Sequence, residues 1–292
     1  MTTLETQNFN FKPDINKIRK QCDSVVQRDP SLRHKILAAL KNFDDAMKYV
    51  DSVNVPKALE KLNESVRDIL DVGADELEAS CFFYMGFIGL AAGGAESGIN
   101  LLNAALHRTQ NPLLALVAYN RLMIHHLTDG NYETVINLAN ATDKVVSKLP
   151  NSNTSRYFSS AASYSRAEAH FRQGKYSNAL PHIQEALTGF SDLSMKAEIA
   201  KCQGLRGNAL IFSGQLKQGL KDIETSLKLF RELKNEREIQ FLLLGRASVM
   251  CQMGKKAEAI QDLREALKIS KRLGEINEIN STLALLSALE AE

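Results

Sequence analysis

The residues best suited to chemistry are three arginines, Arg166, Arg206 and Arg246, spaced forty positions apart. A guanidinium is planar and permanently charged, and its donors match the two oxygens of a carboxylate. A row of them at one interval has two readings. In the first, weighed above the other, they link successive structural units through Glu168, Glu198 or Glu238. In the second they form a ladder for the carboxylates of an acidic peptide. The histidines offer less. His125 and His126 are adjacent, so on a helix they point about 100° apart and cannot share a metal. His170 and His182 fall on facing segments and can approach, but no carboxylate or cysteine is placed to complete a site. Cys22, Cys81, Cys202 and Cys251 lie far apart, with no CxxC or Cys/His ligand spacing. They read as small buried apolar residues of a reducing compartment. Gly86, Gly89 and Gly93 lack the Lys-Ser/Thr that follows a phosphate loop, and read as close helix packing. No GxSxG, HExxH or paired-acid motif stands in a fitting context. No catalytic residue, metal site or cofactor is therefore expected, and the chain is not expected to be an enzyme.

The totals narrow the class. The 292 residues carry 36 basic and 34 acidic side chains, a net charge of +2. That balance does not point to nucleic acid. A hydrophobic fraction of 44% suits a folded protein. The most apolar stretch, Cys81 to Ala92, is short against the roughly 20 residues that cross a bilayer, so no membrane insertion is expected. The N-terminal residues have neither a basic start nor an apolar run, and a cytoplasmic location is expected.

Such residues need elements to hold them, and the pattern of the chain is helical throughout. Residues 1–13 are polar and read as a disordered arm, and 14–31 as an N-terminal helix opened by an Asp14 cap. Ser31 offers a cap for the next helix. Ile36, Leu37, Leu40, Phe43, Met47 and Val50 then recur at three and four, the helical period. Helical pairs follow in series, each divided by a glycine: Gly93, Gly130, Gly174, Gly214 and Gly254. A glycine there takes the left-handed conformation that ends a helix and lets the chain reverse. Small residues recur beyond it, among them Gly98, Ala179, Gly219 and Ala259, where two helices must approach closely. Residues 149–165 are serine-rich and read either as a hinge or as a loop leading into a helix. Pro181, inside a second helix, should remove one hydrogen bond and kink or shift that helix start. No stretch alternates with period two, so no sheet is expected.

This pattern resembles the tetratricopeptide repeat family. Gly86, Ala167, Gly207 and Ala247 stand at its eighth position, and Ala58 at the twentieth of the degenerate first unit. The spacing near forty, against about 34 for the usual repeat, is similar to the longer-helix branch of LGN-type adaptors and kinesin light chains. The resemblance implies an all-α, right-handed α-α superhelix of about six hairpins with a C-terminal capping helix. It implies degenerate repeats 1–3 over 32–148, repeats 4–6 over 159–275 and the cap over 276–292. It further implies that the first helices line a concave groove. Carried over to this sequence, the groove residues include Asn120, Tyr164, Glu168, Lys201 and Asn208, with Arg166, Arg206 and Arg246 as the optional ladder. No unit has the Lys and Asn pair of a chaperone-tail clamp.

The function expected is that of a non-catalytic adaptor or scaffold subunit. It would hold a peptide segment of a partner protein within a multi-subunit complex. An intracellular sensor of short peptides or regulatory protein is the alternative, and an enzyme using the scaffold the second.

Overall fold

The computed structural model describes residues 13–70 and 72–291. The expected N-terminal arm lies, apart from Pro13, outside them. The chain divides into two compact units, Met1–Leu149 and Pro150–Glu292. Among the described residues there are fourteen α-helices and no strand.

Unit 1 opens with α1 (Ile15–Arg28), capped by the Asp14 carboxylate, which accepts from the amides of Asn16 and Lys17. Three hairpins follow: α2 (Arg33–Asp51) with α3 (Val55–Ile69), α4 (Asp75–Ala91) with α5 (Ala95–Arg108), and α6 (Pro112–Thr128) with α7 (Tyr132–Val146). Between α1 and α2 the expected Ser31 cap is not made. Asp29 instead caps a single 3-10 turn, Pro30–Leu32, and Ser31 donates both its amide and its hydroxyl to that carboxylate. Asp29 precedes the proline, so it reaches the free amide first.

Unit 2 repeats the hairpin with a regular step. It comprises α8 (Asn153–Arg172) with α9 (Tyr176–Asp192), α10 (Lys196–Phe212) with α11 (Leu216–Glu232), and α12 (Glu236–Gln252) with α13 (Lys256–Leu273); α14 (Ile276–Ala291) packs on α13. Each second helix also packs against the next first helix, so neighbours in the stack cover most of the apolar surface. Most of the serine-rich segment is helix. The hydroxyls of Ser152 and Ser155 cap the start of α8 reciprocally, which carries it back to Asn153. Pro181 does not move the start of α9. That start, Tyr176, keeps the forty-residue step to Leu216 and Lys256. Pro181 is the sixth residue of α9, and the carbonyl it deprives belongs to Ser177, an exposed residue.

The turn within each hairpin has one geometry. Gly93, Gly130, Gly174, Gly214 and Gly254 all have φ between 71° and 86°. The following residue donates its amide to the carbonyl five positions earlier, as Gln215 does to Leu210 (2.8 Å) and Lys255 to Met250 (2.9 Å). The first hairpin makes the same bond, Asn54 to Tyr49 (2.8 Å), with Val53 in the left-handed position at φ 57°. In two hairpins the paired helices approach too closely for any side chain at the contact, whereas alanine is accommodated at the same positions in others. A Cβ on Gly207 would stand 2.8 Å from the Gly219 carbonyl oxygen, and one on Gly86 would stand 2.9 Å from that of Gly98. Gly89 likewise lies against Gly98, so these glycines serve helix packing.

Candidate functional site

The arginine ladder is built from α10 and α12. Arg206 donates through Nε and a terminal nitrogen to both oxygens of Asp222, at 2.7 and 2.9 Å, and also reaches Gln184 Oε1 at 3.2 Å. Arg246 repeats the fork on Asp262 at 2.8 and 2.6 Å. Both aspartates are buried, and the bonds to them hold the two guanidiniums above their ordinary range. The partners are therefore not the glutamates of neighbouring units but aspartates sixteen residues on, in the second helix of the same hairpin. Their own forty-residue spacing was the signal. Arg166 is buried in α8, and the equivalent position sixteen residues on is His182. His182 stacks on His170, with ring centroids 5.8 Å apart.

The other singled-out residues of unit 2 lie on the first helices. Tyr164 and Glu168 are on α8, Lys201 and Asn208 on α10, all partly buried. Glu168 accepts from Arg172 one turn on, at 2.7 and 3.0 Å. Glu238, on α12, joins them electrostatically. Burial pushes its carboxyl up, Lys201 opposes this, and Glu168 adds to it. Burial likewise raises the Tyr164 hydroxyl well above its usual range, with Glu168 adding to it. One face of α8, α10 and α12 thus presents a lysine between two carboxylates, with a phenol and an amide beside them. One residue of this face went unnoticed in the sequence, and one expected to be buried is open. Phe241 is 65% exposed and stands forty positions after Lys201; Cys251 is exposed at the far end of the same row. The expectation that all four cysteines are buried therefore fails at Cys251, while Cys22, Cys81 and Cys202 are buried.

Asn120 is placed differently. It lies on α6 in unit 1 with 3% exposure, and its Nδ2 has no hydrogen-bond partner among the described residues. On the same helix the Arg121 guanidinium sits 4.9 Å over the Phe87 ring. His125 Nε2 lies 3.1 Å from Asp129 Oδ2. Among the described residues no group of three His, Cys, Asp or Glu side chains is placed to hold a metal ion. No helix among them is long and apolar enough to cross a membrane.

Comparison with known proteins agrees with this geometry. Residues 245–273 match the model of the tetratricopeptide repeat. No curated protein sequence matches the chain. Among solved structures, a Signal Transduction ATPase with Numerous Domains with a tetratricopeptide repeat sensor, from Pyrococcus horikoshii, is similar with a TM-score of 0.63 at 12% identity; the match covers 99% of this chain and 44% of that one. A Rap protein complexed with Competence and Sporulation Factor is similar with a TM-score of 0.60 at 13% identity, covering 94% and 86%. The APC/C hetero-tetramer Cut9–Hcn1 is similar with a TM-score of 0.57 at 14% identity, covering 96% and 47%. This chain thus spans less than half the length of the first and third. At these identities the likeness is one of fold.

Proposed function

We propose, from the all-α solenoid fold and the tetratricopeptide repeat matched over residues 245–273, that this is a non-catalytic adaptor that binds a peptide segment of a partner protein. The segment lies along the first-helix face of unit 2. The observation that carries this is the partly open row formed by Tyr164, Glu168, Lys201, Asn208 and Glu238 with the exposed Phe241. The polar groups there can bond an extended backbone, and Phe241 supplies an apolar anchor. A surface held by stacked hairpins is formed before binding, so the ordering entropy falls mainly on the peptide. Arg206 and Arg246 enter as braces within hairpins, since their forks are filled by Asp222 and Asp262. Asn120 is left out because it is buried.

A second reading, a regulatory protein that senses a short peptide, draws on two of the similar structures. One is a Rap protein in complex with a factor and the other contains a repeat sensor. A cytoplasmic location goes with either reading. The test is affinity purification of the full chain with mass spectrometry, comparing the parent with Lys201→Glu. Partners lost by about tenfold or more in Lys201→Glu, with unchanged thermal melting, are the expected result. Recovery of the same partners at parental yield would sink the proposal.

A further inference from the structure

The inner row is not the whole of what unit 2 exposes. Phe171 at the end of α8, Tyr176 at the start of α9 and Phe212 at the end of α10 form a ring cluster beside the hairpin turns. Tyr176 and Phe212 are stacked, with centroids 5.1 Å apart at 17°, and Phe171 meets them at 5.4 and 5.8 Å. Phe212 is nonetheless 61% exposed. The helix register does not require an aromatic there: forty positions before and after stand Arg172 and Gln252, both exposed and polar. A large ring left in water forgoes burial that a partner would recover.

The charges around the cluster have one sign. The turn segments 171–176, 212–217 and 252–256 contain five basic residues and no acidic one. Arg172 is bonded to Glu168 and Lys255 lies near Glu258. No ion pair is seen among the described residues for Lys175, Lys217 or Lys256, the first two exposed. The opposite end of the same hairpins is arranged otherwise. There Arg156 pairs with Asp192, Lys196 with Glu232, Arg272 with Glu236 and Arg237 with Glu275. That end thus carries acidic side chains that pair with four of its basic ones, whereas the turn segments carry none of their own.

We propose that the turn end of unit 2 is a second docking surface, distinct from the first-helix face, for an acidic protein segment that carries an aromatic or large aliphatic residue. The apolar side chain packs on the exposed edge of Phe212, and the carboxylates meet Lys175 and Lys217. A single-stranded nucleic acid fits less well. Mutual stacking takes one face of each of Tyr176 and Phe212 and Phe171 meets both rings, which leaves less open ring face for bases.

The test uses the full chain and fluorescence anisotropy. The probe is a labelled short peptide of Asp and Glu with one Phe and one Leu at its centre; the controls are the same peptide with Ser at both positions and an oligothymidylate. The expected result is saturable binding of the first probe, weakened about tenfold or more by Phe212→Gln, by Lys175→Glu and by raising salt from about 0.05 to about 0.5 M. Phe212→Gln places in α10 the residue type that α12 already carries at this register, so melting should not change. Lys201→Glu should leave this binding intact, which separates it from the first-helix face. The inference is overturned if the first probe does not bind, if Phe212→Gln binds it as the parent does, if the Ser peptide binds equally, or if the oligothymidylate binds more tightly.

Discussion

The first helices of the two units share a register but differ in what lies upon them. In unit 1, every residue of α4 from Glu76 to Ile88 except Phe82 is buried. Part of the cover is α1, which packs against the first helices α2 and α4. Gln21 of α1 accepts from the Glu76 amide at 2.9 Å, and Arg19 pairs with Asp44 at 2.8 Å. In unit 2 the corresponding positions on α8, α10 and α12 keep Tyr164, Lys201, Asn208 and Phe241 at least partly open. One scaffold thus yields a face covered in part by the chain's own helix and another that stays partly open. The lesson is that a repeat's register specifies where a surface can be, while flanking elements decide whether it is free.

The largest expected effect lies in the sealed unit. Glu78 is 1% exposed and its Oε1 stands 2.7 Å from Arg108 Nε, whose guanidinium also lies 5.1 Å from the Phe82 ring. Arg108→Ala removes both contacts and strands a buried carboxylate, so urea unfolding should show a loss of about 3 kcal/mol. A loss below about 1 kcal/mol would mean that α4 is less sealed than the comparison requires.

Next comes the first hairpin turn. Val53 holds the left-handed conformation that glycine holds in the other hairpins, and a β-branched residue is strained there. Val53→Gly should stabilise the chain by about 1 kcal/mol, read as a higher urea midpoint with unchanged slope. A destabilisation would show that this hairpin departs from the common turn.

The smallest effect belongs to the open face and depends on pH. Burial raises the Glu238 carboxyl in the folded chain, so its charged form costs stability above that raised value. The cost is absent below the ordinary carboxylate range and appears as pH rises through the folded value. Glu238→Gln should therefore melt higher than the parent at about pH 7, with the gap closing toward about pH 4. A gap that is constant across this range would remove burial of the charge as its cause.

Much of this fold was legible without coordinates. The glycine column marked the turns, and apolar spacing of three and four marked the helices between them. Boundaries were less legible because neighbouring polar side chains compete for the same cap. Ser152 and Ser155 drew α8 back to Asn153, and Asp29 took the role assigned to Ser31. The site was legible only in part. Lys201 and Asn208 could be placed on α10 from register alone. The acceptors of Arg206 and Arg246 could not, because Asp222 and Asp262 come beside them only when the hairpin closes.

By itself the sequence determined the repeating hairpin, its forty-residue step and the left-handed turns, since these follow from local periodicity and from what glycine permits. Only the tertiary structure decided which arginines are engaged, that α1 lies on α4, and that Phe212, Phe241 and Cys251 stay open. Exposure is set by neighbours brought from elsewhere in the chain, and no local pattern records their arrival.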